Sequence, residues 1–309
     1  MKKTTLSLFF LIAVLYSAGV VAQTDVRPPT QYRTVKVDGL DIFYREAGDK
    51  DKPLIVLLHG FPSSSQMYRD LMSDLANDFH LIAPDYPGFG NSSAPSVQDF
   101  DYTFDHLATI VAHFIEALGL TKYSLYMQDY GGPIGFRIAT QRPQAIQALI
   151  VQNANAYMEG IGEAIGPLLN YSKNPNPQTE SAARSILTLE STKWQYLDGA
   201  EEPARIDPDS YAIDQFYLDR KGNDAIQLSL FRDYKNNLTL YDKWHSYLRK
   251  YQPPVLIISG KNDKIFVSAG AAPFKKDVPT ARIQLLNGGH FVLAEKHREA
   301  AQLIRDFLR

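Results

Sequence analysis

The stretch Tyr123-Ser124-Leu125-Tyr126-Met127-Gln128-Asp129-Tyr130-Gly131-Gly132-Pro133 reads as a strand that breaks into a helix through a sharp turn. Tyr123 to Met127 has the strand pattern. Gly131 and Gly132 are small enough to let the following helix pack close to the sheet. Pro133 falls in that helix's first turn, where a missing N–H costs little. A turn this tight exposes one side chain at the carboxyl edge of the sheet. The usual occupant is Ser; here it is Asp129.

The same architecture extends in both directions. Leu54 to Leu58 is a continuous apolar run, the mark of a strand buried on both faces. Leu81 to Ala83, Ile146 to Val151, Val255 to Ser259 and Arg282 to Leu286 are read as further strands. Helical spacing predicts helices over Ser65 to Ala76, Tyr102 to Leu118, from the glycine-rich turn to Gln141, and Ala294 to Leu308. Gly119 ends the second of these. Thr34 to Val37 and Asp41 to Arg45 alternate around Asp38-Gly39, which predicts an antiparallel hairpin. Alternating strand and helix implies an α/β fold with a mostly parallel sheet flanked by helices. The rhythm breaks from about residue 154 to 250, where Asn174-Pro175-Asn176-Pro177, Glu201-Glu202-Pro203 and Asp207-Pro208 are loop signals. This block is read as a helical cap, or lid, inserted into a core of residues 23–153 and 251–309.

Composition narrows the possibilities. The chain has 309 residues, 45% of them hydrophobic, enough for a sizeable core. Its 32 Lys+Arg nearly balance 34 Asp+Glu, so the broad basic footprint of a nucleic-acid binder is missing. Cysteine is absent, which excludes disulfides, thiolate metal sites and cysteine nucleophiles. At the N-terminus, Lys2 and Lys3 precede an apolar run from Leu6 to Leu15. Val20-Val21-Ala22 then fits a small-residue cleavage site. The expectation is a signal peptide over residues 1–22 and an exported protein, periplasmic or secreted, with no stable membrane association after cleavage.

Three more segments carry chemistry. His59-Gly60-Phe61-Pro62 follows the strand Leu54 to Leu58. A backbone N–H there, that of Phe61, can face the turn at Asp129 and form half of an oxyanion hole, with the Tyr130 N–H as the other half. Pro62 would fix that turn and is a candidate for a cis bond. Asp263, in Gly260-Lys261-Asn262-Asp263, follows the strand Val255 to Ser259. His290, in Gly288-Gly289-His290-Phe291, follows the strand Arg282 to Leu286. Both stand at carboxyl ends of parallel strands, where open α/β sheets place their sites. His80, His106, His113, His245 and His297 look like surface or packing residues.

Asp129, Asp263 and His290 follow the chain order nucleophile, acid, histidine. The sequence resembles α/β-hydrolase-fold enzymes of the aspartate-nucleophile branch, which holds epoxide hydrolases and haloalkane dehalogenases. The resemblance covers about residues 30–309. Met-Gln-Asp-Tyr-Gly-Gly (127–132) is similar to the nucleophile motif of both families, and His-Gly-Phe-Pro (59–62) to a motif of epoxide hydrolases. Met127 departs from the usual Gly. Tyr130 replaces the Trp whose indole N–H serves the departing halide in dehalogenases.

The resemblance implies attack by Asp129 on saturated carbon, an alkyl-enzyme ester, and water activated by His290 with Asp263 behind it. Phe231-Arg232-Asp233-Tyr234-Lys235-Asn236 is similar to the segment around the ring-opening tyrosine of epoxide hydrolases, with Tyr234 in the matching place. Tyr157, Tyr171 and Tyr196 are candidates for the second tyrosine usual there. Trp194 and Trp244 could serve a halide. The expected function is an epoxide hydrolase giving diols. A haloalkane or haloacid dehalogenase, and a non-catalytic ligand-binding member of the fold, are the alternatives. The expected partner is a small epoxide or organohalide, and no metal, nucleotide or organic cofactor is implied.

Overall fold

A computed structural model describes residues 28–309. The expected signal peptide lies outside the described residues. Strands β1 (Gln31–Val37) and β2 (Leu40–Ala47) form the antiparallel hairpin. Its turn residues Asp38 and Gly39 have φ of 49° and 83°, as a two-residue primed turn requires. Then follow β3 (Leu54–Leu58), β4 (His80–Pro84), β5 (Tyr123–Gln128), β6 (Ile146–Gln152), β7 (Val255–Gly260) and β8 (Arg282–Leu286). They form one sheet of order β1-β2-β4-β3-β5-β6-β7-β8. Strands β3 to β8 run parallel, and β2 joins β4 antiparallel. The fold is thus the α/β hydrolase architecture.

The helices are α1 (Arg69–Leu75), α2 (Phe104–Ala117), α3 (Gly131–Gln141), α4 (Gly166–Lys173), α5 (Pro177–Arg184), α6 (Leu189–Leu197), α7 (Pro208–Leu218), α8 (Asn223–Asp233), α9 (Lys235–Leu238), α10 (Tyr241–Tyr251), α11 (Phe274–Asp277) and α12 (Leu293–Leu308). Alternate residues of each central strand face opposite layers. Ile55, Leu57, Tyr126, Ile150, Leu256 and Ile258 pack with Leu71, Met72 and Leu75 of α1 and Ala300, Ala301 and Ile304 of α12. Val56, Leu58, Leu125, Met127, Leu149, Val151 and Ile257 pack with α2, α3 and α10 on the other side. With both faces covered, neither needs polar residues, hence the continuous apolar runs.

Helices α4 to α10 all lie between β6 and β7. The last differs from its neighbours. Trp244 of α10 stacks on Phe136 of α3, ring centroids 5.1 Å apart and planes 17° apart. So α10 belongs to the helix layer over the sheet, although the sequence pattern groups it with the insertion.

One contact sets how close α3 comes to the sheet. A Cβ on Gly131 would lie 2.0 Å from the carbonyl oxygen of Leu58. That is backbone, which no rotamer change can relieve. Gly131→Ala should therefore destabilise the fold by about 3 kcal/mol or abolish soluble expression. Urea unfolding followed by circular dichroism checks this, and a loss under 1 kcal/mol would contradict the packing described.

Candidate active site

Asp129 occupies the turn between β5 and α3 with φ of 47°, a left-handed backbone that costs a non-glycine residue energy. Its backbone N–H donates to the carbonyl of Asn153, 3.2 Å away, which holds the turn against the end of β6. The conformation turns the side chain to the carboxyl edge of the sheet. There the carboxylate meets two donors. The backbone N–H of Phe61 reaches Oδ1 at 2.7 Å and that of Tyr130 reaches the same oxygen at 2.6 Å.

The sequence motif around Phe61 explains how its N–H arrives. A Cβ on Gly60 would fall 2.3 Å from the Cβ of Asp129, so no larger residue fits. The Phe61-Pro62 peptide is cis. His59 is fully buried and stacks on Tyr86 with centroids 4.0 Å apart. Its Nδ1 donates to the Gly60 carbonyl at 3.2 Å and its Nε2 accepts from the Tyr86 N–H at 3.3 Å. Burial pushes its pKa down to about 3, so it is a neutral brace for the loop and not a proton carrier.

His290 and Asp263 come together as the sequence predicts. Nδ1 of His290 donates to Asp263 Oδ2 at 2.9 Å, so Nε2 carries the free lone pair. That Nε2 lies 3.8 Å from Asp129 Oδ2. The other Asp263 oxygen accepts from the backbone N–H groups of Ile265 and Phe266, at 2.7 and 3.2 Å.

Two neighbours escaped the sequence reading. The Asn153 amide donates to Asp263 Oδ2 at 2.7 Å, from a backbone with φ of 43°. Gln128 places its Nε2 3.3 Å from His290 Nε2, where it can donate into the lone pair. Both stand at strand ends beside a predicted site residue, which is the signal that could have found them.

The electrostatics favour one ionised carboxylate at the cavity. Burial raises the Asp129 pKa, and His290 with the two backbone N–H groups oppose the rise, leaving it at about 6. Burial pulls His290 down, but the Asp263 carboxylate more than offsets this and holds it above its ordinary value.

Asp129 opens onto a cavity of about 70 Å³. Phe61, Tyr130 and Ile265 form its core side. The segment between β6 and β7 contributes Ala164, Ile165, Leu168, Ile186, Ser191, Trp194, Gln195 and Tyr234. No Lys, Arg or His is among these lining residues. Tyr234 is buried, its ring 6.3 Å from that of Tyr130. Its neighbour Asp233 accepts from the Phe104 N–H at the start of α2, tying this segment to the core.

The three tyrosines considered as its partner lie elsewhere. Tyr157 donates to Asp277 Oδ2 at 2.6 Å. Tyr196 donates to Asp214 Oδ2 at 2.6 Å and stacks on Phe291, and Tyr171 packs in the hydrophobic core. None is among the residues lining the cavity at Asp129. Trp194 does line it, whereas Trp244 is buried against α3.

Comparison with known proteins agrees with this architecture. A family model described as alpha/beta hydrolase fold matches residues 53–297. The chain is 40% identical over 260 residues to the uncharacterized hydrolase YNR064C of Saccharomyces cerevisiae, covering 83% of this chain and 89% of that one. It is 40% identical over 285 residues to a haloalkane dehalogenase of Mycolicibacterium paratuberculosis, covering 86% of each. It is 24% identical over 291 residues to epoxide hydrolase 3 of Xenopus tropicalis, covering 90% of this chain and 77% of that one. With its turn at Asp129, its sheet order and a family match over most of its length, the chain belongs to the alpha/beta hydrolase fold family.

Proposed function

We propose that this hydrolase opens epoxides to diols through a covalent ester on Asp129. One observation carries the reading: two backbone N–H groups hold Asp129 Oδ1, which leaves Oδ2 as the free nucleophile on the side of His290. In serine members of the fold this pair of donors faces the oxyanion of an acyl group. A carboxylate seated there by its own oxygen has its carbon where the acyl carbon would lie. Once alkylated, that carbon is poised for attack by water.

Oδ2 attacks a ring carbon, the C–O bond of the epoxide breaks, and Tyr234 gives its hydroxyl proton to the departing oxygen. Burial and the nearby Asp129 charge raise the Tyr234 pKa well above its usual value, so the hydroxyl stays protonated until it is needed. His290 then takes a proton from water, which adds to the Asp129 carboxyl carbon. The Phe61 and Tyr130 N–H groups hold the oxyanion. Its collapse releases the second diol oxygen, which takes the proton from His290. Ionisation of the regenerated carboxyl group restores the proton on Tyr234.

Among the relatives are both an epoxide hydrolase and a haloalkane dehalogenase. Tyr234 at the cavity favours the epoxide, because a departing alkoxide needs a proton and a halide does not. The lack of a Lys or Arg among the lining residues disfavours haloacids, whose carboxylate would face that of Asp129 with no such partner. A signal peptide and export remain part of the proposal, carried by Lys2, Lys3 and the apolar run after them.

Three measurements test the reading. His290→Ala should accumulate an enzyme whose mass exceeds the free protein by that of one epoxide, mapped to the Asp129 peptide, with turnover down at least 100-fold. Unmodified protein under the same conditions would refute the covalent route. Tyr234→Phe should slow alkylation by about 100-fold or more, read by stopped-flow with a chromogenic epoxide. The wild-type alkylation rate needs the carboxylate. It should therefore rise with pH and level off above about 6, the value to which burial moves Asp129. Single-turnover rates across pH check this, and a rate that falls over that range would contradict it.

A further inference from the structure

Helix α6 places Ser191, Trp194 and Gln195 on the cavity wall. Their spacing of three and four residues is one helical face. Tyr196, one residue on, turns about 100° away. It is held there by the 2.6 Å bond to Asp214 and by stacking on Phe291 at 3.9 Å. The deeply buried position of this helix that faces the cavity therefore carries an amide and not a phenol.

Gln195 is 4% exposed. Its side chain makes no hydrogen bond with any other side chain or backbone group among the described residues. An amide that faces a cavity and has no protein partner is expected to find one in the occupied site. Trp194, at 37% exposed, stands at the mouth of the cavity. Gln195 and Tyr234 are the deeply buried donor side chains contributed to the cavity by the inserted segment. The cavity that they line together with Asp129 is about 70 Å³, roughly half of the ~150 Å³ that takes up a benzene. Two donors lining one cavity of this size can reach the same small occupant.

We propose that Gln195 is a catalytic residue that donates its amide N–H to the departing epoxide oxygen beside Tyr234, and that the substrate is a compact, neutral, aliphatic epoxide. This rests on the epoxide reading above. The division of labour is chemical. As the C–O bond breaks, its electron pair goes to oxygen. Tyr234 supplies the proton. Gln195 has none to give at any working pH and stabilises the developing charge by hydrogen bonding alone. The surrounding Ala164, Ile165, Leu168, Ile186 and Ile265 accept a short alkyl substituent, and no Lys or Arg lines the cavity to hold an acidic one.

The test uses the full chain, 1,2-epoxybutane as probe, and single-turnover mass spectrometry of Asp129 alkylation in wild type, Gln195→Leu and Gln195→Glu. Gln195→Leu should alkylate about 100-fold more slowly. Gln195→Glu should be impaired at neutral pH, where the introduced carboxylate cannot donate. Its rate relative to wild type should recover as the pH falls and that carboxyl becomes protonated, a response that a packing role would not produce. Alkylation of Gln195→Leu within threefold of wild type, or a Gln195→Glu ratio flat with pH, overturns the role of Gln195. A wild type that is never alkylated by this or a bulkier epoxide overturns the epoxide reading itself. Faster alkylation by a bulky aryl epoxide than by 1,2-epoxybutane overturns the assigned substrate class alone.

Discussion

Two backbone N–H groups converge on one oxygen of Asp129, and much of the molecule is arranged so that they can. The Tyr130 N–H points there because α3 begins immediately after the turn, so this leading N–H has no carbonyl of the helix to meet. The Phe61 N–H points there because β3 ends beside β5 and Gly60 leaves room for the Asp129 side chain. Neither donor belongs to a side chain, so both positions are properties of the sheet and its register. A backbone donor cannot rotate away, and this is what makes the site preorganised before any ligand enters.

The other half of the site is held with comparable redundancy. Asp263 receives four hydrogen bonds, from His290, Asn153 and the backbone of Ile265 and Phe266. A carboxylate so fully occupied acts as a fixed acceptor that orients the imidazole. Asn153 links Asp263 to Asp129, because its carbonyl accepts from the Asp129 N–H while its amide donates to Asp263. The left-handed backbones at Asp129 and Asn153 stand at the two ends of that link. Strain of this kind persists where surrounding contacts over-determine it.

Much of the core was legible in the sequence for one reason. A parallel sheet covered on both faces has no solvent side, so Leu54 to Leu58 is apolar throughout and coincides with β3. Strand ends then mark the site, and Asp129, Asp263 and His290 each follow one. The inserted helices obey no such rule. On α6 one face meets the cavity and another meets α7 and Phe291, so Gln195 and Tyr196 are both buried although they point to different places. No amphipathic stripe distinguishes them, which is why sequence reasoning considered Tyr196 and passed over Gln195. Trp244 shows the same limit in another form. Its burial is plain from its chemistry, but its partner Phe136 lies more than a hundred residues earlier in the chain.

The cavity wall has a further consequence for how such a protein can diverge. Asp129, Asp263 and His290 follow strand ends of the core, whereas eight of the cavity's twelve wall residues come from the single stretch between Ala164 and Tyr234. The Asp129, Asp263 and His290 set and most of the cavity wall are thus written on separate pieces of chain. An insertion, a deletion or a recombination event confined to that stretch can recast the wall, Gln195 and Tyr234 included, while Asp129, Asp263 and His290 keep their places on the core.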